Sequence, residues 1–203
     1  MMAARRARKA SRGAFWMSSK SYKIIKEIEP PVLSVTGRVS SLKRILICSG
    51  GKHYIEQAVE VAGRIAGGTG ASVVLLHVMG EPPAIYARLR RMDETAAWLL
   101  GSETELGRNL RQEKEALEAV GVSVEVRLRR GSVLEEILRE IHAGGYDLIV
   151  TGSAPSHQLR TYVLGDISRE IVNRVDGAVL VARGHFPSAS SRRGLGRWWG
   201  AAA

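Results

Sequence analysis

Between residues 44 and 182 the apolar residues keep two rhythms in turn. Short runs that are apolar almost throughout, "RILICS" at 44–49, "SVVLLHVM" at 72–79, "DLIVTG" at 147–152 and "AVLVA" at 178–182, predict strands covered on both faces. Between them, apolar residues recur every three or four positions, as a helix with one buried face requires. Ile55, Ala58, Val59, Ala62, Ile65 and Ala66 mark one such helix, expected to end at Gly67-Gly68. Residues 84–120 read as helix in two pieces separated near Gly101, with Leu106, Leu110, Leu117 and Val120 facing inward.

"VSVEVRL" at 122–128 alternates and predicts an edge strand with one face on the core. Ser132 and Glu135 have the spacing of a capping box ahead of a helix whose stripe is Leu134, Ile137, Leu138 and Ile141. A polar loop then runs to about Leu164, followed by a helix from Asp166 to Val175. Strands alternating with helices at this spacing predict an α/β fold with a doubly wound, five-stranded parallel sheet. Ligands of such sheets sit beyond the carboxyl ends of the strands, where the winding reverses. Those ends carry "CSGG", "HVMG" and "TGSAPS".

Charge changes the picture little. Of the net +10, residues 1–20 hold +6, residues 21–44 hold +3 and residues 185–203 hold +3, leaving −2 on 45–184. The folded part is nearly neutral, and basic ends alone predict no specific nucleic-acid partner. Cys48 is the single cysteine and sits inside an apolar strand, so an inert buried thiol is expected. No apolar stretch is long enough to span a bilayer and none resembles a secretory leader, so the expected location is cytoplasmic.

The first forty residues contain an echo of the last helix and strand. "SYKIIKEIEPPVLSVTG" at 21–37 aligns without a gap on "SREIVNRVDGAVLVARG" at 168–184, an offset of 147. Ser21, Ile24, Val32, Leu33 and Gly37 repeat as Ser168, Ile171, Val179, Leu180 and Gly184. The N-terminal segment therefore reads as a helix–strand remnant of a second copy, with a helix near 17–28 and a strand at 31–35. The four earlier strands of that copy are missing, as in a tandem protein cut short. The remnant's strand needs a sheet edge, and strand 178–182 offers one, within one chain or between two. The Arg-rich, acid-free run 1–14 also resembles an organelle transit peptide, which explains the repeat less well.

The order of elements, with "RILICSGG", "RGSVLEEILREI" (130–141), "DLIVTGS" (147–153) and "LGDISREIVNRVDGAVLVARG" (164–184), resembles the universal stress protein family. The resemblance covers about 44–184 and, in part, 15–37. It implies an adenine nucleotide alpha hydrolase-like fold and dimerisation through the last strand, here 178–182, with a second copy or a tandem partner. The expected divisions are a basic segment 1–40, a family domain 41–184 and a basic tail 185–203.

Members that bind ATP carry Gly-x-x-Gly, nine residues, then Gly-Ser or Gly-Thr. Gly152 and Gly165 match two of those glycines, whereas Pro155 stands at the second and Asp166 at the hydroxyl position. Gly50 replaces the aspartate at the end of the first strand, and Val78 falls where the family's backbone meets adenine. The resemblance thus outlines an eroded ATP site of Ser49, Gly50, Gly51, Val78, Gly152, Ser153, Gly165 and Asp166. Proline removes an amide that would face phosphate. Asp166 would bring a carboxylate to a helix start that otherwise favours anions. No cofactor is assured. The ligand to be considered is ATP, with magnesium bridging Asp166 and phosphate and with Lys52, His157 and Arg160 adding positive charge.

"SGGKHY" at 49–54 also resembles the SGGxDS loop of enzymes that cleave ATP between its α- and β-phosphates. That chemistry uses the Asp and Ser, and His53 and Tyr54 supply neither role. The reading preferred is a glycine turn that starts the first helix close to the sheet. The histidines show no metal-ligand spacing, so no metal site is assigned. "RRMDETAAWLL" at 90–100 reads as a helix packed on its own sheet, and "RRGLGRWWGAAA" at 192–203, with Trp198 and Trp199, as a tail. The expectation is a non-catalytic binding or stress-response module, with a weak ATPase as its rival.

Overall fold

The computed structural model describes residues 30–36, 39, 41–51, 55–80, 95–153 and 166–183. In chain order the elements are β1 (Val32–Val35), β2 (Arg44–Ser49), α1 (Glu56–Thr69), β3 (Ser72–Met79), α2 (Ala96–Gly101) and α3 (Glu105–Glu118). They continue with β4 (Val124–Arg130), α4 (Val133–Gly144), β5 (Leu148–Ser153), α5 (Asp166–Arg174) and β6 (Ala178–Arg183). The sheet has six strands in the order β1-β6-β5-β2-β3-β4, all parallel except β1, which runs antiparallel to β6. Chain winding runs from β2 outward to β4, then returns to the other side of β2 for β5 and β6. The switch point is therefore between β2 and β5.

The all-apolar strands have the expected cause. Ile45, Ile47, Val73, Leu75, Leu148 and Val150 pack on the face beneath α1 and α3. Their alternate neighbours Leu46, Cys48, Val74, Leu76 and Ile149 pack on the opposite face with Ile137 of α4 and Ile171 and Val172 of α5. Cys48 is buried, and burial pushes its thiol up to about 12, an unreactive state. Edge strand β4 turns Val124, Val126 and Leu128 to the core. Its intervening Arg127 and Arg129 reach Glu140 of α4, which is wholly buried and also accepts from Tyr146.

Three local expectations need correction. Helix α1 runs through Gly67-Gly68 and ends at Gly70, whose φ of +71° supplies the left-handed C-cap and whose N–H reaches the Ala66 carbonyl. Gly67 is used for close approach, since a Cβ there would lie 3.3 Å from the Val120 carbonyl oxygen. Val120 lies beyond the end of α3 and is half exposed rather than facing inward. Ser132 is the N-cap of α4, but its side chain makes no capping bond and its carbonyl accepts the Glu136 amide. Side-chain caps are found instead at Thr95 and Thr104, which open the two pieces of the divided helix.

Strand β1 lies at the β6 edge, the edge expected for a strand at 31–35; the helix expected near 17–28 lies outside the described residues. The register pairs Val32 with Val181, Leu33 with Leu180, Ser34 with Val179 and Val35 with Ala178. Leu33 thus faces the residue that the 147-residue offset aligns with it. The other pairs fall symmetrically about this one, as in any antiparallel ladder, so the local twofold axis passes through the two residues that the offset aligns. Thr36 closes the pairing: its hydroxyl accepts from the Gly177 amide at 3.0 Å and lies 3.3 Å from the Val175 carbonyl.

Candidate functional site

At the switch point the carboxyl ends of β2 and β5 lie side by side, with Cys48 opposite Thr151 and the chain continuing to Ser49 on one strand and Gly152 on the other. Val78 is near the end of β3, one residue past the Ser49–His77 pair. Helix α5 begins at Asp166, and its third residue, Ser168, ties its first turn to β5. The Ser168 hydroxyl donates to the Gly152 carbonyl at 3.0 Å and lies 2.9 Å from the Thr151 hydroxyl. Ser49, Gly152, Ser153, Val78 and the start of α5 are therefore brought to one end of the sheet. Gly165, Pro155, Lys52, His157 and Arg160 lie outside the described residues.

The triplet after β2 is a closed turn. Gly51 has φ of +66°, which favours glycine, and its N–H donates to Ser49 Oγ at 3.0 Å. Its carbonyl accepts from Asn109 Nδ2 of α3 at 2.9 Å, and the Ser49 carbonyl accepts from His77 Nδ1 at 2.9 Å. A Cβ on Gly51 would stand 2.3 Å from Leu106 Cδ1 and 3.1 Å from His77 Cε1. Phosphate-cradling loops point successive amides outward at the anion. Here the Gly51 amide, both carbonyls and the serine hydroxyl are engaged within the protein, and Gly50 is the exposed residue.

Two ionisable side chains lie beneath this turn. His77 is buried, and burial lowers its pKa despite the opposing bond to the Ser49 carbonyl. Because a carbonyl faces Nδ1, the proton of the neutral ring is on that nitrogen. Glu113 of α3 is also buried, and burial pushes its carboxyl up to about 7, with the Ser49 side chain pulling down and the Glu56 charge pushing up. Its Oε2 has no hydrogen-bond partner.

Sequence reading named the strand-end residues but missed Asn109, Glu113 and Ser168. Asn109 and Glu113 had a signal of a kind: both fall on the inward stripe of α3 with Leu106, Leu110 and Leu117, where polar residues need a partner. Among the described residues no group of three His, Cys, Asp or Glu side chains converges on a metal position. No helix among them is long and apolar enough to cross a membrane.

Residues 41–183 match the model of the universal stress protein family. A universal stress protein from Archaeoglobus fulgidus superposes with a TM-score of 0.63 at 20% identity, covering 85% of this chain and 57% of that one. A universal stress protein in complex with cAMP superposes with a TM-score of 0.51 at 20% identity, covering 72% of this chain and all of that one. The chain thus spans little more than half the length of the Archaeoglobus protein. Among curated proteins, none matches.

Proposed function

The chain belongs to the universal stress protein family, and from that premise we propose that it acts as a non-catalytic stress-response binding module whose nucleotide cleft keeps the family outline but disfavours polyphosphate. The closed Ser49–Gly51 turn carries this reading. A loop whose amide and hydroxyl are bonded internally has little to offer a phosphate. Asp166 works in the same direction. Ser168 holds the start of α5 against β5, where the helix dipole would favour an anion, and the first residue there is acidic. A carboxylate about 4 Å from a phosphate charge costs ~1–4 kcal/mol, a loss of affinity between about fivefold and nearly a thousandfold.

The turn also supports binding over catalysis. Ser49's hydroxyl and the Nδ1 of His77 are engaged in holding the backbone, and Cys48 is buried and unreactive. The rival reading, a magnesium–ATP site of Gly152, Gly165 and Asp166, draws on the proximity of the α5 start to β5, with magnesium joining Asp166 to phosphate. The partner assignment follows from β1. With the β6 edge filled within the chain, pairing through 178–182 between two chains would require the chains to exchange β1.

The test is calorimetric titration of the full chain with ATP, with and without magnesium, alongside an assay for released phosphate or AMP. The proposal expects no saturable heat at micromolar to millimolar ATP and no product. Magnesium-dependent binding with turnover would establish the rival instead.

A further inference from the structure

The two edges of the sheet differ in kind. Strand β4 carries Glu125, Arg127, Arg129 and Arg130, and such charges protect an edge from pairing with another chain. Strand β1, at the opposite edge, carries no charge, and among the described residues no strand pairs with its outer side. The Thr36 amide donates to the Gly177 carbonyl at 3.0 Å, in the register of the β1–β6 ladder. Antiparallel bonding alternates, so Val32 and Ser34 also turn their backbone groups to β6, and Leu33 and Val35 turn theirs outward. The same two residues expose their side chains. Leu33 is 56% and Val35 53% exposed, although the residues opposite them, Leu180 and Ala178, are buried in the core beneath α1 and α3. Free backbone groups and bare apolar side chains thus coincide at one uncharged edge.

We infer that two copies of the chain associate through β1, antiparallel and about a twofold axis at Ser34. In that register Leu33 of each copy lies opposite Val35 of the other, and every outward N–H and C=O of β1 gains a partner. The Leu33 and Val35 side chains of both copies then lie side by side on the α1 face and cover one another. A second copy is the occupant because the edge is complementary to itself and bears no charge with which to select an acidic or basic partner. The charged β4 edge opposes head-to-tail pairing of β1 with β4, so association closes at two copies instead of running on as a fibre. This interface lies one strand outside β6 and needs no exchange of β1 between chains.

The experiment combines sedimentation velocity of the full chain, from micromolar to submillimolar protein, with oxidation of the variant Ser34→Cys. Ser34 would face its own copy as a non-hydrogen-bonded pair, with Cα atoms about 4.5 Å apart, which a disulfide spans. The native Cys48 is buried, and the wild-type protein controls for it. The expected result is a concentration-dependent dimer of the wild type and an intermolecular disulfide in Ser34→Cys alone. Leu33→Lys, at an exposed position, should weaken the dimer at least tenfold and leave the circular dichroism unchanged. A wild-type protein that stays monomeric throughout would overturn the inference. So would a dimer that Leu33→Lys leaves intact, or one in which Ser34→Cys forms no disulfide, as when β1 is exchanged onto the other chain's β6.

Discussion

Replacing Glu113 by Gln keeps the size of the side chain and removes its charge, so it isolates the cost of ionising a buried acid. The carboxyl rises from 4.5 to about 7 on folding, chiefly through burial. A folded state that holds its proton more tightly than the unfolded chain gains no penalty below the unfolded pKa. The penalty grows as pH rises from about 4.5 to about 7 and is complete above that. A shift of this size corresponds to about 3 kcal/mol at pH 8. His77 works in the opposite sense: its lowered pKa makes stability fall as pH drops through 6.5 and below. The two slopes partly cancel in the wild-type protein, so the difference between variant and wild type is the quantity to measure. Urea denaturation at half-unit steps from pH 4.5 to 8.5 should give curves close together at the acid end. The variant should be more stable by about 2–3 kcal/mol at pH 8, allowing for one imperfectly paired amide. Parallel curves across the range would refute the reasoning, because the Glu113 charge would then cost nothing.

Three other substitutions probe the frame around the site. Gly51→Ala forces a side chain into a left-handed conformation and against Leu106, and should lower stability by about 2–4 kcal/mol in thermal melts; an unchanged melt would mean the turn is not packed as described. Thr36→Val removes the hydroxyl that joins β1 to the α5–β6 turn; it should cost about 1–2 kcal/mol and speed amide exchange of Val32–Val35 first, whereas unaltered exchange would remove Thr36 as the clasp. Glu140→Ala leaves Arg127, Arg129 and Tyr146 without their shared acceptor and should cost about 3–5 kcal/mol, against less than about 0.5 kcal/mol for the exposed Arg139→Ala. Equal effects of these last two changes would contradict the importance given to Glu140's burial.

The strands were legible because their physical requirement is written in consecutive residues. A short run such as Ile45–Cys48, apolar at every position, has both faces to cover, and both are covered. The break near Gly101 and the edge character of β4 were legible for the same local reason. Gly67, Val120 and Ser132 were misjudged because tertiary approach decides them: Gly67 yields to the Val120 carbonyl, and the Ser132 hydroxyl lacks the geometry of a cap. The pairing of β1 with β6 could be anticipated from the repeat, yet its symmetric centring on Leu33 and Leu180 needed coordinates. At the site, the glycines and Asp166 were visible as a pattern with known spacing. The bond from Asn109 to Gly51 crosses 58 residues, and Glu113 reaches the same turn from the next turn of α3. Such contacts depend on how α3 lies over the sheet, and no local spacing encodes them.

A cleft kept in outline yet closed to polyphosphate is tested most directly by giving it back what it lacks. The variant Pro155→Gly with Asp166→Ser, titrated calorimetrically with magnesium–ATP beside the wild-type protein, should bind saturably at least tenfold more tightly than the wild type, which should give no saturable heat below millimolar ATP. Wild-type binding as tight as that of the variant, or lost when Asp166 is replaced, would make Asp166 a ligand-holding residue and contradict the reading.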